Sequence, residues 1–589
     1  MKIEETFIKR VSTWMHERLS NRQFLMVGAV IVGLWAGLTA VLLKVSVHYF
    51  QEMVKSFSLK HHWIYFVFPT IGILLTYLFV RFALNKDLQK GTSHVMLAIA
   101  KKSSFLPRKE TYGHAVTSAL TVGMGGSAGL ESPIVQTGAA IGSVFASLFP
   151  VGYRDRTLLL ACGASAGIAT AFNAPIAGVL FALEVLLVDI NISAFIPLLI
   201  AGATGALCSK IILSDDILLS FSMVSEFNYW NVPYYVLLGV ATGILSSFYI
   251  KAFSRSEHAF KKIFRSDLLR VIAGGSLLGL MIILFPALFG EGYSSIKSLA
   301  SGIPEQLITG SPLYNFMTRD AWMLGFSVMA IALVKVFAVS LTLSAGGNGG
   351  NFAPSLLIGS CIGFAFAFLI NLTGWAYLPI ANFCLVAMAG TLTGIFHAPL
   401  TAIFLIAEIT GGYDLMIPLM IVSALSTAVS RYFNADSLDA AKLKESAQSI
   451  IFDKDSHVLS ELSLRKFIEK DFTIVPVNAN LKVLVNAVAR SKRNIFPVIN
   501  TDGTLAGVIA LEDIREIMFD TTKYDTIEVS KLMQAPQAVA EVEEDMSTIM
   551  ERFDKSGVWN MPVIDKGIYL GFISKSSIFS NYRERLKSK

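Results

Sequence analysis

The sequence predicts a two-part chain. An all-α, polytopic membrane domain, built from two duplicated halves with many re-entrant half helices, precedes a soluble α/β tail that is itself duplicated. Three observations predict it. The chain is 53% hydrophobic and only 16% charged, with a mean hydropathy of +0.59. Apolar runs recur from about Phe24 to Arg431 and then stop. Two pairs of short motifs recur at nearly one offset. At 589 residues the chain also exceeds what one core organises.

The leader, residues 1–23, carries Lys2, Lys9, Arg10, Arg18 and Arg22. It reads as an N-terminal cytosolic helix, because excess Lys and Arg favour the cytoplasmic side. The first apolar run follows it without a small-residue cleavage pattern, so it is not a removable signal. The membrane domain is expected over 24–440, with repeats at about 24–215 and 230–440. FLMVGAVIVGLWAGLTAVLL and DAWMLGFSVMAIALVKVFAVSL are long enough to span. Other apolar segments are short and cut by Gly or Pro, the pattern of half helices. Past Tyr432 the chain turns polar. A linker is expected at 441–460, and two soluble repeats at 461–525 and 526–589.

Composition also excludes classes. All four cysteines (Cys162, Cys208, Cys361, Cys384) lie in apolar segments and read as small core residues. The net charge of +6 comes without a basic run interleaved with aromatics, which argues against nucleic acid. There is no HExxH metal cluster and no Ser nucleophile elbow, so neither a metal centre nor an enzyme is expected.

The duplication rests on two motif pairs. NAPIAGVLFALE (Asn173–Glu184) matches HAPLTAIFLIAE (His397–Glu408), 224 residues apart. GLESP (Gly129–Pro133) resembles GNFAP (Gly350–Pro354), 221 apart. Duplicated halves of transporters put the substrate site near the midplane, at matching helix breaks.

The breaks suit an anion. Gly permits close backbone approach, and Pro fits a first helical turn. Each motif reads as a loop entering a helix N-terminus, whose free N–H groups and dipole attract negative charge. Two such ends hold a halide without a lysine or arginine, which would slow its release. Glu131 lies in the first break. A carboxylate is itself an anion, so Glu131 competes with the ion for the N–H groups; the alternative is a plain helix cap. Intramembrane acids are costly and point to function. Only Glu131, Glu184, Asp189 and Glu408 stand out, too few for a divalent-cation pathway.

These motifs resemble the CLC family of chloride channels and chloride/proton exchangers over nearly the whole chain. GLESP matches its GxExP motif, SAGGNGGNFAPSLLIG its GxFxP motif, and AFNAPIAGVLFALE and HAPLTAIFLIAEITGGYDLMIP two further signature helices. The resemblance implies inverted repeats, a homodimer with one pathway per subunit, and Glu131 as the gate. Anion-binding amides are then expected at Gly129, Leu130, Glu131 and Ser132, and at Gly350, Asn351 and Phe352.

Three positions depart from the family pattern. GTSHV (Gly91–Val95) stands for GSGIP, so Thr92 replaces an anion-binding Ser; it either donates its hydroxyl to the ion or caps a helix. The central-site Tyr falls at Asp439, which repels chloride if it faces the site ionised. The internal proton-accepting Glu of exchangers falls at Val185, which carries no proton. Asn351 is also more polar than usual; it favours a smaller, more hydrated anion such as fluoride, or is a neutral change. The expectation is a chloride channel gated by Glu131 and sensitive to voltage and pH. A Cl⁻/H⁺ antiporter on the same fold is the alternative.

In the tail, NIFPVINTDGTLAGVIALEDI matches NMPVIDKGIYLGFISKSSI; Pro497 to Pro562 is 65 residues and Gly507 to Gly571 is 64. Each copy reads as strand, turn, strand and helix start, after amphipathic helices VLVNAVARSKR and STIMERFDKSG. The pair resembles tandem cystathionine-β-synthase (CBS) domains, which implies regulation by ATP, ADP or AMP. The nucleotide signature is incomplete: the first copy offers Asp513 and the second Ser574. The other reading is a structural dimerising module. Short loops suggest a bacterial inner membrane, with both termini cytoplasmic.

Overall fold

The computed structural model describes residues 20–58, 63–85, 88–101, 103–186, 192–213, 221, 226–446 and 464–579. Most of the expected leader helix, Asp189, residues 447–460 of the expected linker and residues 461–463 of the first soluble repeat lie outside them. The chain divides into two units, Met1–Gln448 and Ser449–Lys589.

The first unit is helical. Eight helices among the described residues are long and apolar enough to cross a membrane, from Asn21–Phe57 to Met416–Glu445. Three shorter apolar helices, Pro175–Leu186, Ile380–Phe396 and Pro399–Ile409, sit among them. Small residues let these helices approach, as membrane packing requires. Gly138 of the Glu131–Ala146 helix and Gly163 of the Tyr153–Phe172 helix face each other. A Cβ on either would land on the other's carbonyl oxygen.

Matching positions of the two halves break in matching ways. The Tyr153–Phe172 helix ends at Asn173 with φ 54°, and the Ile380–Phe396 helix ends at His397 with φ 56°. Each left-handed residue turns the chain into an Ala-Pro start, at Pro175 and Pro399. The two short helices that follow then cap each other. The Glu184 carboxylate accepts the N–H groups of Leu400 at 3.0 Å and Thr401 at 2.7 Å. The Glu408 carboxylate accepts those of Ile176 at 3.0 Å and Ala177 at 2.8 Å. These two acids hold the repeats together. The final helix of this unit, Leu438–Ser446, continues past the expected domain end at residue 440.

The second unit holds two like sheets. In the first, β1 (Val475–Pro476) pairs parallel with β2 (Ile495–Ile499), which pairs antiparallel with β3 (Leu505–Ala510). In the second, β4 (Ala540–Glu541), β5 (Asn560–Asp565) and β6 (Ile568–Ser574) repeat that order. Even the irregularities correspond, at Val498/Ile499 and Val563/Ile564. The amphipathic helices Leu481–Arg490 and Met546–Ser556 cover the sheets. They bury Leu484 with Phe496, and Phe553 with Met561. Bridges from Glu469 to Phe572 and from Thr504 to Ile568 tie the copies together.

Candidate functional site

The two motif loops meet. Gly129 and Gly350 form an antiparallel bridge, donating to each other's carbonyls at 2.9 and 2.8 Å. That contact sets the N-termini of the Glu131–Ala146 and Phe352–Thr373 helices side by side. Neither helix has a side-chain cap of its own from the residue before it, so amide donors remain at both starts.

Glu131 uses this arrangement. Its Oε2 accepts the N–H of Ala353 at 3.2 Å, across the repeat boundary. Its Oε1 accepts the hydroxyl of Tyr293 in a short hydrogen bond. The side chain is 2% exposed. A buried carboxylate therefore lies between two helix starts, reaching the Ala353 amide of the opposite one as well as its own backbone N–H.

A cavity of about 220 Å³ adjoins it. Thr92, Glu131 and Ser132 line it from the first half, and Gly350, Asn351 and Phe352 from the second. Asp439 lines it too, which puts a carboxylate on the cavity side of the Leu438–Ser446 helix start, at the position where the family pattern has its Tyr. The Thr92 hydroxyl lies 3.1 Å from that of Ser132. Thr92 is the first residue of its helix, and its hydroxyl turns towards Ser132. Tyr249 donates its hydroxyl to Asn351 Oδ1 at 2.9 Å. Phe352 packs against Phe172, Phe181 and Phe396 with ring centroids 5.5, 6.3 and 5.6 Å away.

Other expected residues fall elsewhere. Gly129 and Leu130 are buried behind the cavity wall, Gly129 in the bridge and Leu130 in the core. Val185 sits half-buried in a π turn, Ala182–Leu186, packed against the same core. In the tail, Asp513 accepts the N–H of Ala510 at 3.0 Å and the Gln534 amide at 3.2 Å. Ser574 donates to Glu469 Oε1 at 2.6 Å. Both residues of the incomplete nucleotide signature therefore serve internal bonds.

The motifs also missed residues. The cavity lining includes Lys90, Lys261 and Lys442, against the expectation of an amide-only pathway free of lysine. Glu257 joins them and pairs with Lys261 at 2.7 Å and Lys442 at 3.1 Å. Two buried lysines lie near Glu291, the acid that neighbours Tyr293. Lys44 donates to the Ala171 carbonyl at 2.5 Å, and Lys335 to those of Leu288 and Gly290 at 3.2 and 3.0 Å. Glu291 lies within electrostatic reach of Lys44, Lys335 and Glu131. Its Oε1 has no hydrogen-bond partner among the described residues. The local signal was Gly-Glu-Gly-Tyr, whose glycines 290 and 292 take φ 63° and 97° and aim Tyr293 at the carboxylate.

The chain is similar to known proteins over both of its parts. The family model described as voltage gated chloride channel matches residues 71–431. The CBS domain model matches residues 464–520. A protein described as ClcB-like from Ralstonia nicotianae is 29% identical over 400 residues, covering 67% of this chain and 88% of that one. The voltage-gated ClC-type chloride channel ClcB of Escherichia coli is 28% identical over 330 residues, 55% of this chain and 73% of that one. Among solved structures, a slow cyanobacterial Cl⁻/H⁺ antiporter superposes with a TM-score of 0.63 at 21% identity, covering 73% of this chain and 99% of that one.

Proposed function

The chain belongs to the voltage gated chloride channel family, and on that premise we propose that it conducts chloride passively across a membrane with Glu131 as its gate. One observation carries the reading. Glu131 accepts the Ala353 N–H, so its carboxylate occupies an anion's seat at the start of the opposite helix. A halide and a carboxylate exclude each other there. The remaining donors are the helix-start amides of Ser132, Asn351 and Phe352, and the Thr92 hydroxyl; the Gly129 and Gly350 amides are spent on each other. Tyr249 takes the carbonyl oxygen of Asn351, which leaves the NH₂ end for the cavity. Lysines 90, 261 and 442 raise the local anion concentration. Val185, with no proton to carry, favours conduction over exchange.

Family membership supports a homodimer with one pathway per subunit. The basic leader supports cytoplasmic termini, and the bacterial relatives an inner membrane. In the tail, the internal bonds of Asp513 and Ser574 favour a structural module over a site for ATP, ADP or AMP. The second reading is Cl⁻/H⁺ exchange. It is favoured by Asp439, a further acid on the same cavity wall, and by a fold shared with a cyanobacterial Cl⁻/H⁺ antiporter. Fluoride exchange rests only on Asn351.

Purified protein in liposomes, with chloride and pH electrodes read together, tests both. Chloride efflux without proton movement supports conduction. Proton uptake in fixed ratio to chloride overturns conduction in favour of exchange. No chloride flux overturns both.

A further inference from the structure

Three carboxylates among the described residues line the cavity; gating as proposed uses Glu131, Glu257 pairs with Lys261 and Lys442, and Asp439 is left without a role. Asp439 is in the first turn of the Leu438–Ser446 helix, which packs against the Thr92–Lys101 and Ile380–Phe396 helices. The side chain is 7% exposed, and its Oδ2 accepts no hydrogen bond among the described residues. It lines the same cavity as Glu131, Thr92 and Asn351. A buried, unpartnered carboxylate oxygen beside a proposed anion seat is a poor fixture for packing.

The charged and titratable neighbours are otherwise occupied. Lys442, on the same helix, is within electrostatic reach of Asp439 but pairs with Glu257 and lies over the Phe253 ring. Lys261 pairs with Glu257, and Lys90 donates to the carbonyls of Gly346 and Gly347. Tyr249 is spent on Asn351, and His94, on the packed Thr92–Lys101 helix, on Glu110. His397 ends the other packed helix, and Glu131 faces the cavity from the far wall.

We propose that Asp439 is a second proton-binding site inside the anion cavity, and that chloride settles there only together with a proton on this residue. The ionised carboxylate and chloride repel at close quarters. The protonated carboxyl removes that repulsion and offers one O–H donor to the anion. By linkage, chloride then strengthens proton binding to Asp439 as much as the proton strengthens chloride binding. The inference rests on the anion seat proposed above, but it assigns to Asp439 what that reading leaves open.

The test is isothermal titration of sodium chloride, against an isethionate background, into full-length protein carrying Glu131→Ala. That substitution removes the gate's own titration. Chloride affinity is expected to fall by at least about tenfold between pH 5 and pH 8. Binding should also take up protons, read as a dependence of the heat on the buffer's ionisation enthalpy. In the double variant with Asp439→Asn, chloride should bind at both pH values with the low-pH affinity and no proton uptake. Equal affinity at both pH values in Glu131→Ala, or a pH dependence that survives Asp439→Asn, overturns the proposal. Absence of chloride binding at any pH overturns the anion seat itself, and this inference falls with it.

Discussion

Glu131→Ala is expected to tighten chloride binding at pH 7 by about thirty- to a hundredfold. The carboxylate holds its place by two hydrogen bonds to a charged acceptor, from Ala353 N–H and Tyr293 O–H. Bonds of that kind contribute about 1.5–3 kcal/mol each. The Ala353 bond, at 3.2 Å, lies at the long end of the range and counts at the lower figure. Burial of the charge opposes both. A net hold of about 2–3 kcal/mol remains, and chloride must overcome it to enter; at about 1.4 kcal/mol per decade that gives the stated factor. Glu131→Gln keeps one acceptor oxygen without the charge and should gain about tenfold. Voltage dependence should weaken as well, since a unit charge crossing the whole field accounts for about 2.3 kcal/mol per 100 mV. Chloride titration gives the affinity, and flux from liposomes under imposed potassium-diffusion potentials gives the voltage dependence. An affinity within threefold of the parent, with voltage dependence intact, refutes the assignment of Glu131 as a competing occupant.

Tyr293→Phe removes one of the two donors to the gate and should raise basal chloride flux by up to about tenfold, less than Glu131→Ala; liposome flux decides, and a fall in flux would count against the contact. Glu408→Gln weakens the cap on the N–H groups of Ile176 and Ala177, and a loss of about 1–2 kcal/mol should lower the melting temperature by a few degrees, read by thermal unfolding in detergent. In the tail, hydrogen bonds from Arg552 hold the Glu544 carboxyl below its usual range. Because the folded value is depressed, that stabilisation is present above the ordinary Glu value and is lost as pH falls through the folded one. The calorimetric transition of the tail in the full chain should therefore weaken under acid, and Glu544→Gln should flatten that dependence. Titration of the full chain with ATP, ADP and AMP should give no heat; a saturable heat would show that Asp513 or Ser574 exchanges its internal bond for a nucleotide.

What the sequence made legible was whatever it wrote as a local pattern. Proline at a helix start, glycine at a break and an acid at the far end of a short apolar helix are readable because their causes lie within a few residues. The duplication was readable for the same reason, copied twice. The tail was clear because alternating strands and amphipathic helices carry their own period. Tyr293, Glu291, Lys44 and Lys335 were not legible as a group, since nothing in Gly-Glu-Gly-Tyr states which distant helices will enclose it. Lys335 lies within an apolar run that by itself reads as an ordinary span. Lys90, Lys261 and Lys442 looked like flanking charges, and only packing turned them towards the cavity. Glu184 and Glu408 show the converse: the repeat marked them as a matched pair, but the exchange of caps between them needed three dimensions.

The two breaks are alike in backbone and differ in side chains, and on the proposed reading the difference between Glu131 and Phe352 is what makes a gate. Each half brings a glycine bridge, an uncapped helix start and a proline in its first turn. Two identical starts would form a symmetric cradle for an anion with nothing to close it. Glutamate at both would place two carboxylates on one seat, which like-charge repulsion forbids. The chain has glutamate in one copy and Phe352 in the other. Phe352 fills its side of the wall against Phe172, Phe181 and Phe396, so the second helix start is held fixed and supplies the amide of Ala353. Glu131, on the first, supplies a tethered anion of the right charge to occupy it. On the proposed reading one half is therefore the seat and the other the plug, and Glu131 is the group that chloride replaces.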